Sequence, residues 1–460
     1  MQEYIPPANG FRTFVVVWAT QSISALGSAM TFFAMNIWLV QVQYPLAEQK
    51  AQLAWALSAV SLCFAIPIMI FGPIAGAWAD RHDRKQIMIA ANLLNGLISV
   101  GLVWLLVEGL LSLWLLLAAI VLTTTIGAFH GSAFDTSYAM LVPEKHLPRA
   151  NGMMQSMNSL AGILAPAFAA TIIALPELAR QGVLPRAVGG LLRSLSNGTS
   201  LAIAVDAVSF FFAAAVLVFL FIPSPRRSDL LAANGEKKSI WSDVKEGAVY
   251  IWRRRPLLWL LGIFAVVNFT AGPIAMLIPL MLRFNLQSDW LAHGFTYETA
   301  LALLNSVMGV GGVLGGVIMS AWGGLRRRIY GVLIPMILLG LAQTLFGLSN
   351  FFFISVALIF IIDFTIPFMN AHTQTIWQAQ TPREMQGRVF AVRRVIAQFT
   401  WPISTALAGW VSGLFNPGHV LAVLGAVGLV FCAAQFFNAH LLSVEDKRVL
   451  DHLAEQGNIL

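Results

Sequence analysis

The sequence predicts an all-α integral membrane protein whose twelve transmembrane helices form two pseudo-symmetric six-helix bundles. Three observations lead there. Of 460 residues, 58% are hydrophobic and only 11% charged, about half the charged share of an ordinary soluble domain. Apolar runs of about twenty residues or more, long enough to cross a hydrocarbon core of about 30 Å as a helix, recur from end to end. Landmarks in the first half return about 240 residues later.

The predicted spans are 14–39, 53–79, 86–107, 113–134, 153–174, 200–222, 257–282, 300–322, 329–348, 351–371, 389–414 and 420–440. Their connections are too short for a soluble domain. A backbone in lipid must satisfy its own hydrogen bonds, so helices are the economical reading, and the alternation of barrel strands is absent. The first run lacks a basic flank and a small-residue cleavage site, so it reads as a retained helix rather than a signal peptide. Cys63 and Cys432 each fall inside a span, where two small buried thiols are the simple reading. No metal and no cofactor is expected.

The charges orient the chain. With the N-terminus inside, 23 of the 28 Lys and Arg residues face the cytoplasm, and the outer five are Lys50, Arg180, Arg186, Arg193 and Arg283. This is the positive-inside bias, and it places both termini in the cytoplasm. The net charge of +7 is spread over seven short inner segments instead of one patch, which argues against a nucleic-acid partner.

The organisation that follows is a first bundle over 1–222, a cytoplasmic linker over 223–256, a second bundle over 257–442 and a cytoplasmic tail over 443–460. Within the linker, Ile240, Val244, Ala248 and Ile251 recur at helical spacing, which predicts an amphipathic helix on the inner surface. The halves echo each other: Gly72 and Gly76 correspond to Gly312 and Gly316, Pro143 to Pro382, and Pro166 to Pro402. Such a duplication suits alternating access, with two bundles rocking about a site near the midplane. The outer loop from 176 to 197 either covers the outer mouth or only connects.

After the second span the chain reads GPIAGAWADRHDRK, placing Gly76, Asp80, Arg81, Arg84 and Lys85 in the pattern GxxxDRxxRK. Gly72 and Gly76, four apart on one face, are expected to allow close helix contact. Asp80 can accept hydrogen bonds at a helix N-terminus, with Arg84 and Lys85 as countercharge. The basic residues alone could equally serve only topology. This loop resembles the signature of the major facilitator superfamily, and the resemblance extends over the twelve helices, the six-plus-six repeat and the central linker. It implies that the motif latches one conformation, with Asp80 meeting the inner end of the eleventh span near Arg388. In the second half Ser320 stands where the acid would be, which implies a weaker latch.

Stretches around Asp206, from Leu141 and from Thr373 are similar to the macrolide-efflux and siderophore-exporter branch, which implies amphipathic substrates, export, a bacterial cytoplasmic membrane and a monomer. The fifth span carries Gly162 and Pro166 but lacks the glycines that flank the proline in drug antiporters. The fourth has no arginine matching their basic motif.

Only Asp206 and Asp363 are acids well inside the spans, where ionisable groups are costly enough to imply a task. Asp363, in the middle of the tenth span, is the better proton carrier, because the resemblance implies that this span lines the cavity. Asp206 reads rather as an acid held by hydrogen bonds between helices. Asp135, near His130, is a candidate for a gate or relay, against a solvated interfacial role. Gln21, Asn36, Asn158, Asn268 and Gln398 are candidate cavity residues, while Asn305, Gln343 and Asn370 share the chemistry; joining helices is the bland alternative for all. Phe32, Phe33, Phe269 and Trp401 are candidates for a greasy, tolerant pocket. Arg393 and Arg394 attract an anion or snorkel to headgroups, and at least one is expected to snorkel.

The leading expectation is a secondary active transporter that exports an amphipathic drug, macrolide or siderophore-like metabolite by proton antiport. A lipid or lysophospholipid transporter of the same fold is the alternative, favoured by few cavity charges and many aromatics. A membrane-embedded enzyme using His130 and Asp135 lacks a metal cluster, nucleophile elbow or phosphate loop, and a nucleotide-driven pump lacks a Walker loop. A receptor would bind ligand without accumulating it.

Overall fold

Helices account for nearly all the regular structure of this chain, and their ends show why. The computed structural model describes residues 9–79, 81–143, 146–183, 185, 189–190, 192–195, 198–222, 240–382 and 385–446. The described contacts divide into two compact units, Met1–Gly235 and Glu236–Leu460.

The first unit holds α1 (Gly10–Trp38, continued by one wide turn over Leu39–Gln43), α2 (Lys50–Ala79), α3 (Arg84–Val107), α4 (Leu113–Leu141), α5 (Leu147–Arg180) and α6 (Thr199–Phe219). The Ser112 hydroxyl accepts from the Leu115 amide at the start of α4, and Asp83 accepts from Lys85 and Gln86 at the start of α3. Each satisfies amides that the first helical turn leaves without partners.

The second unit opens with α7 (Ile240–Arg253), followed by α8 (Arg255–Ala271), α9 (Ile274–Phe284), α10 (Tyr297–Trp322), α11 (Arg328–Leu348), α12 (Phe352–Gln380), α13 (Gln386–Leu414) and α14 (Pro417–Ala434). Among the described residues eleven segments are long and apolar enough to span a membrane. The 29-residue α13 fills the remaining predicted place.

The helix pairings repeat between the units. In the first, α1 packs on α5 and α6, α3 on α4 and α6, and α2 on α4; in the second, α8 packs on α13 and α14, α11 on α12 and α14, and α10 on α12. Each of these pairings of one unit thus has its counterpart in the other, as an internal duplication requires, while α7 packs on α13 in the second unit only.

The span predicted over 257–282 is present as one segment apolar enough to cross a membrane, Arg255–Phe284, bent at Gly272 and Pro273 into two helices, α8 and α9. Proline brings no N–H and crowds the preceding turn, and the Trp401 indole donates to the Gly272 carbonyl at 2.9 Å, so the bend keeps its hydrogen bonding inside the protein. Gly72, Gly76, Gly312 and Gly316 do not mediate close packing, since a Cβ at any of them would meet nothing within 4 Å. Their neighbours Gly311 and Gly315 do, against the Phe360 and Phe364 carbonyls. Of the apolar face predicted for α7, Ile251 is buried and Ala248 exposed, while the side chains of Ile240 and Val244 lie outside the described residues; Tyr250 turns in to donate to the Gln380 carbonyl at 2.6 Å.

Close packing at Gly311 gives a direct test. A Cβ there would lie 2.6 Å from the Phe360 backbone oxygen, whereas the adjacent Gly312 faces open space. Gly311→Val is expected to lower the unfolding temperature of the detergent-purified protein, at an overpacking cost of about 1–3 kcal/mol. Gly312→Val is expected to match the parent.

Candidate functional site

Two loops related by the repeat each lie at helix ends of their own unit, and their polar residues are placed by helix termini. In the first unit Arg84 is buried. Its guanidinium donates to the Ala79 carbonyl at 3.4 Å and the Thr136 carbonyl at 3.2 Å, tying α3 to the ends of α2 and α4. Lys85 donates to the Val218 carbonyl at 2.8 Å, a cation at the C-terminus of α6 where the helix dipole favours one. Arg84 and Lys85 are thus engaged on helix-end carbonyls and do more than set topology. Arg81 is exposed, His82 stacks on Trp78 with ring centroids 4.0 Å apart, and Gly76 is half-buried. Asp80 and the side chain of Arg388 lie outside the described residues.

The second loop solves the same problem with different groups. Nothing on Arg327, at the cap position of α11, accepts from the first turn. Glu445 does so instead, taking the Arg328 and Ile329 amides at 3.0 and 3.2 Å. Gln380 holds Glu445 in turn by donating to its carbonyl at 3.1 Å. His372, buried on α12, accepts from the Leu325 amide at Nε2 and meets the Phe368 carbonyl at Nδ1. A carbonyl cannot donate, so these partners select the neutral tautomer with the proton on Nδ1. Gly324, at φ +86°, gives the imidazole room. The sequence reading missed His372 and Glu445. The only signal was that Glu445 falls in the stretch read as a cytoplasmic tail, of which residues 443–446 are described and Glu445 reaches α11.

The two intramembrane acids differ. Asp206 on α6 is 2% exposed and accepts from the hydroxyls of Thr31 at 2.8 Å, Ser28 at 3.2 Å and Ser99 at 3.5 Å. It joins α6 to α1 and α3, where Gly27 allows the close approach. Asp363 on α12 is half-buried and has no hydrogen-bond or ion-pair partner among the described residues.

None of the remaining candidates with described side chains is hydrogen-bonded to either acid. Asp135 is exposed on α4, and His130 makes no bond to it: its Nε2 is buried without a partner. Gln21 is buried with its amide nitrogen unpaired, Asn36 donates to the Phe32 carbonyl of its own helix, and Asn268 is half-buried on α8. The side chains of Asn158, Gln398 and Arg394 lie outside the described residues. Gln343 is fully buried and donates to the Thr270 carbonyl at 2.8 Å, a helix joint. Arg393 donates to Gln374 at 2.6 Å and lies 5.7 Å from the ring centroids of both Phe264 and Trp377.

Two cavities are formed within single units. One of about 370 Å³ lies among Trp38, Gln43, Leu106, Leu111, Ser194 and Ser200 in the first. Another of about 280 Å³ lies among Phe269, Ser404, Leu407, Val411, Phe415 and His419 in the second. Phe269 is the one sequence-predicted residue that lines either.

Two units whose main helix pairings correspond, with eleven candidate spans among the described residues, define a polytopic membrane protein built on an internal duplication. Residues 17–401 match the family model of the Major Facilitator Superfamily, and the chain belongs to that family of membrane transporters. It is 26% identical over 426 residues to macrolide efflux protein A of Streptococcus pyogenes, covering 92% of this chain and 94% of that protein. It is 22% identical over 443 residues to a Na(+), Li(+), K(+)/H(+) antiporter of Planococcus maritimus, covering 92% and 96%. The fold matches a bacterial homologue of the human lysosomal transporter Spinster, with a TM-score of 0.61, 17% identity and 96% of each chain covered.

Two expectations follow from the placement of the carboxylates. Asp206→Ala removes the acceptor of three hydroxyls and is expected to cost the fold on the order of 2 kcal/mol, read as a lowered unfolding temperature. Glu445→Ala removes the cap of α11, a loss of about 1 kcal/mol. The Arg328 and Ile329 amides are then expected to exchange with deuterium roughly five-fold faster.

Proposed function

We propose that this chain exports an amphipathic small molecule across a bacterial cytoplasmic membrane by proton antiport, its two units alternating access to a central site. One observation carries the coupling: of the two acids inside the spans, Asp206 is engaged by three hydroxyls, whereas Asp363 has no partner among the described residues. A carboxylate at that depth is costly. One that spends nothing on holding helices together is free to gain and lose a proton. The similarity to a macrolide efflux protein supports the substrate class and direction, and that to a cation/proton antiporter supports the coupling.

In this reading Asp363 takes a proton from the outer side, the units change orientation, and release to the cytoplasm resets the cycle. Gly76, Asp80, Arg81, Arg84 and Lys85 form the latch of one orientation. Arg84 and Lys85 hold the loop on three helix ends, and Asp80 makes the contact that breaks. Gln21, Asn36, Asn158, Asn268 and Gln398 offer polar contacts along the pathway, and Asp135 stands at its inner mouth. The protein acts as a monomer with both termini in the cytoplasm.

The test is proton movement in inverted vesicles carrying a preset pH gradient, scanned with macrolides, lipophilic cations and siderophores. Substrate-triggered dissipation is expected in the parent and in Asp206→Asn, and at least ten-fold reduced in Asp363→Asn. Full pH-dependent transport by Asp363→Asn would refute the assignment. Transport in the parent without any ion gradient would favour lipid movement instead.

A further inference from the structure

The cavity of about 370 Å³ in the first unit has no part in the proposed cycle, yet several local devices shape it. Its walls come from the end of α1, the turn between α3 and α4, the loop before α6 and the first turn of α6. By the orientation read from the charges, this is the outer side. α1 ends in a wide turn, in which the Tyr44 amide donates to the Leu39 carbonyl, five residues back, at 2.9 Å. Such turns are rare and recur at functional sites. Trp38 and Gln43 would stand about 140° apart on a regular α-helix; a turn that holds more residues narrows that angle, and both line the cavity. The facing wall is fixed by two guanidinium groups. Arg180 donates to the Leu195 carbonyl and Arg193 to the Ala179 carbonyl, each at 2.9 Å, cross-linking the end of α5 to the loop that carries Ser194 and Leu195.

Within this shell two donors have nothing to bond. Trp38 is 3% exposed and Ser200 7%, both line the cavity, and neither the indole N–H nor the hydroxyl has a partner among the described residues. A serine inside a helix commonly donates to the carbonyl four residues back, as Ser22 and Ser61 do in this chain. Ser200 sits in the first turn of α6 and has no helical residue four back, so its hydroxyl stays open. A buried donor without a partner is costly, and two of them on one cavity call for an occupant that accepts.

No charged side chain among the described residues lines the cavity, so a desolvated ion would go uncompensated there. The volume is too large for one or two ordered waters and falls at the lower end of small-molecule sites, about 300–1,000 Å³. Leu106, Val107, Leu111 and Leu195 supply apolar walls. We infer that this cavity binds an uncharged amphipathic solute with acceptor oxygens, such as a ketone or an ester. The oxygens meet the Trp38 N–H and the Ser200 hydroxyl, and the apolar body lies against the leucines. All the walls belong to one unit, so binding here does not require the alternating cycle, and the inference goes beyond the export reading without resting on it.

The test uses the full chain in lipid nanodiscs, labelled with 5-fluorotryptophan and followed by fluorine NMR. The Trp38 resonance is the one missing from Trp38→Phe. The probe is 2-acetylnaphthalene, whose ketone accepts hydrogen bonds, set against 2-ethylnaphthalene, which has the same shape and no acceptor. A saturable shift of the Trp38 resonance is expected with the ketone, and about ten-fold weaker binding with the hydrocarbon. Ser200→Ala is expected to weaken ketone binding about five-fold. Val42→Phe, which adds a ring at the exposed rim, is expected to abolish it, and both variants to keep the parent's unfolding temperature. Equilibrium dialysis of tritiated ketone reads the same affinities without the resonance assignment, so the test survives a misfolded Trp38→Phe. Equal binding of the hydrocarbon would reduce the site to an apolar cleft. Parent-like affinity in both Ser200→Ala and Val42→Phe would place binding elsewhere, and release of a bound phospholipid by the ketone would give the two donors to a lipid ester; each overturns the proposal. No gradient is present, so failure of the export reading would leave this result standing.

Discussion

Inside a membrane there is no water to complete a hydrogen bond, so each helix end, bend and buried polar group must find its partner within the chain. Much of the polar chemistry of this protein answers to that constraint. Lys85 serves the end of α6, Arg84 the ends of α2 and α4, Glu445 the start of α11, and Trp401 the break between α8 and α9. Asp206 is met by three hydroxyls from two neighbouring helices. Against this background Asp363 stands out, because a carboxylate in the same setting has no partner among the described residues.

The repeat shows how one requirement can be met by different residues. The start of α3 is capped by Asp83, two residues before Lys85. The corresponding start of α11 carries arginines instead of an acid, and the carboxylate arrives from Glu445, more than a hundred residues away. The second loop is further fixed by His372, for which the first has no counterpart among the described residues. Duplication has preserved the helix pairings while the side chains that close the helix ends have diverged. Pairing depends on many distributed contacts, whereas a cap needs only one acceptor in the right place.

Much of this was legible in the amino-acid order. Span positions follow from local hydropathy, and the helices begin where expected to within a few residues. They end later than hydropathy suggests where polar residues continue the helix beyond the apolar run: α4 reaches Leu141 and α12 reaches Gln380. A hydropathy window weighs transfer of side chains to oil, while a helix persists as long as its backbone bonds are made. The glycine pairs were correctly seen as landmarks of the repeat but not as contacts. Which side of α10 meets α12 turns on a shift of one residue, about 100° of helix rotation, and that rotation is set by the partner.

The chain by itself determined its class, because twelve apolar runs and a sparse, one-sided set of charges can be solvated only by a bilayer. It also marked Asp206 and Asp363 as the two acids with something to explain. Only the tertiary structure separated them, since the hydroxyls of Ser28, Thr31 and Ser99 reach Asp206 from helices more than a hundred residues away in sequence. Whether a buried charge is satisfied is a property of its neighbours in space, and no local pattern carries that information.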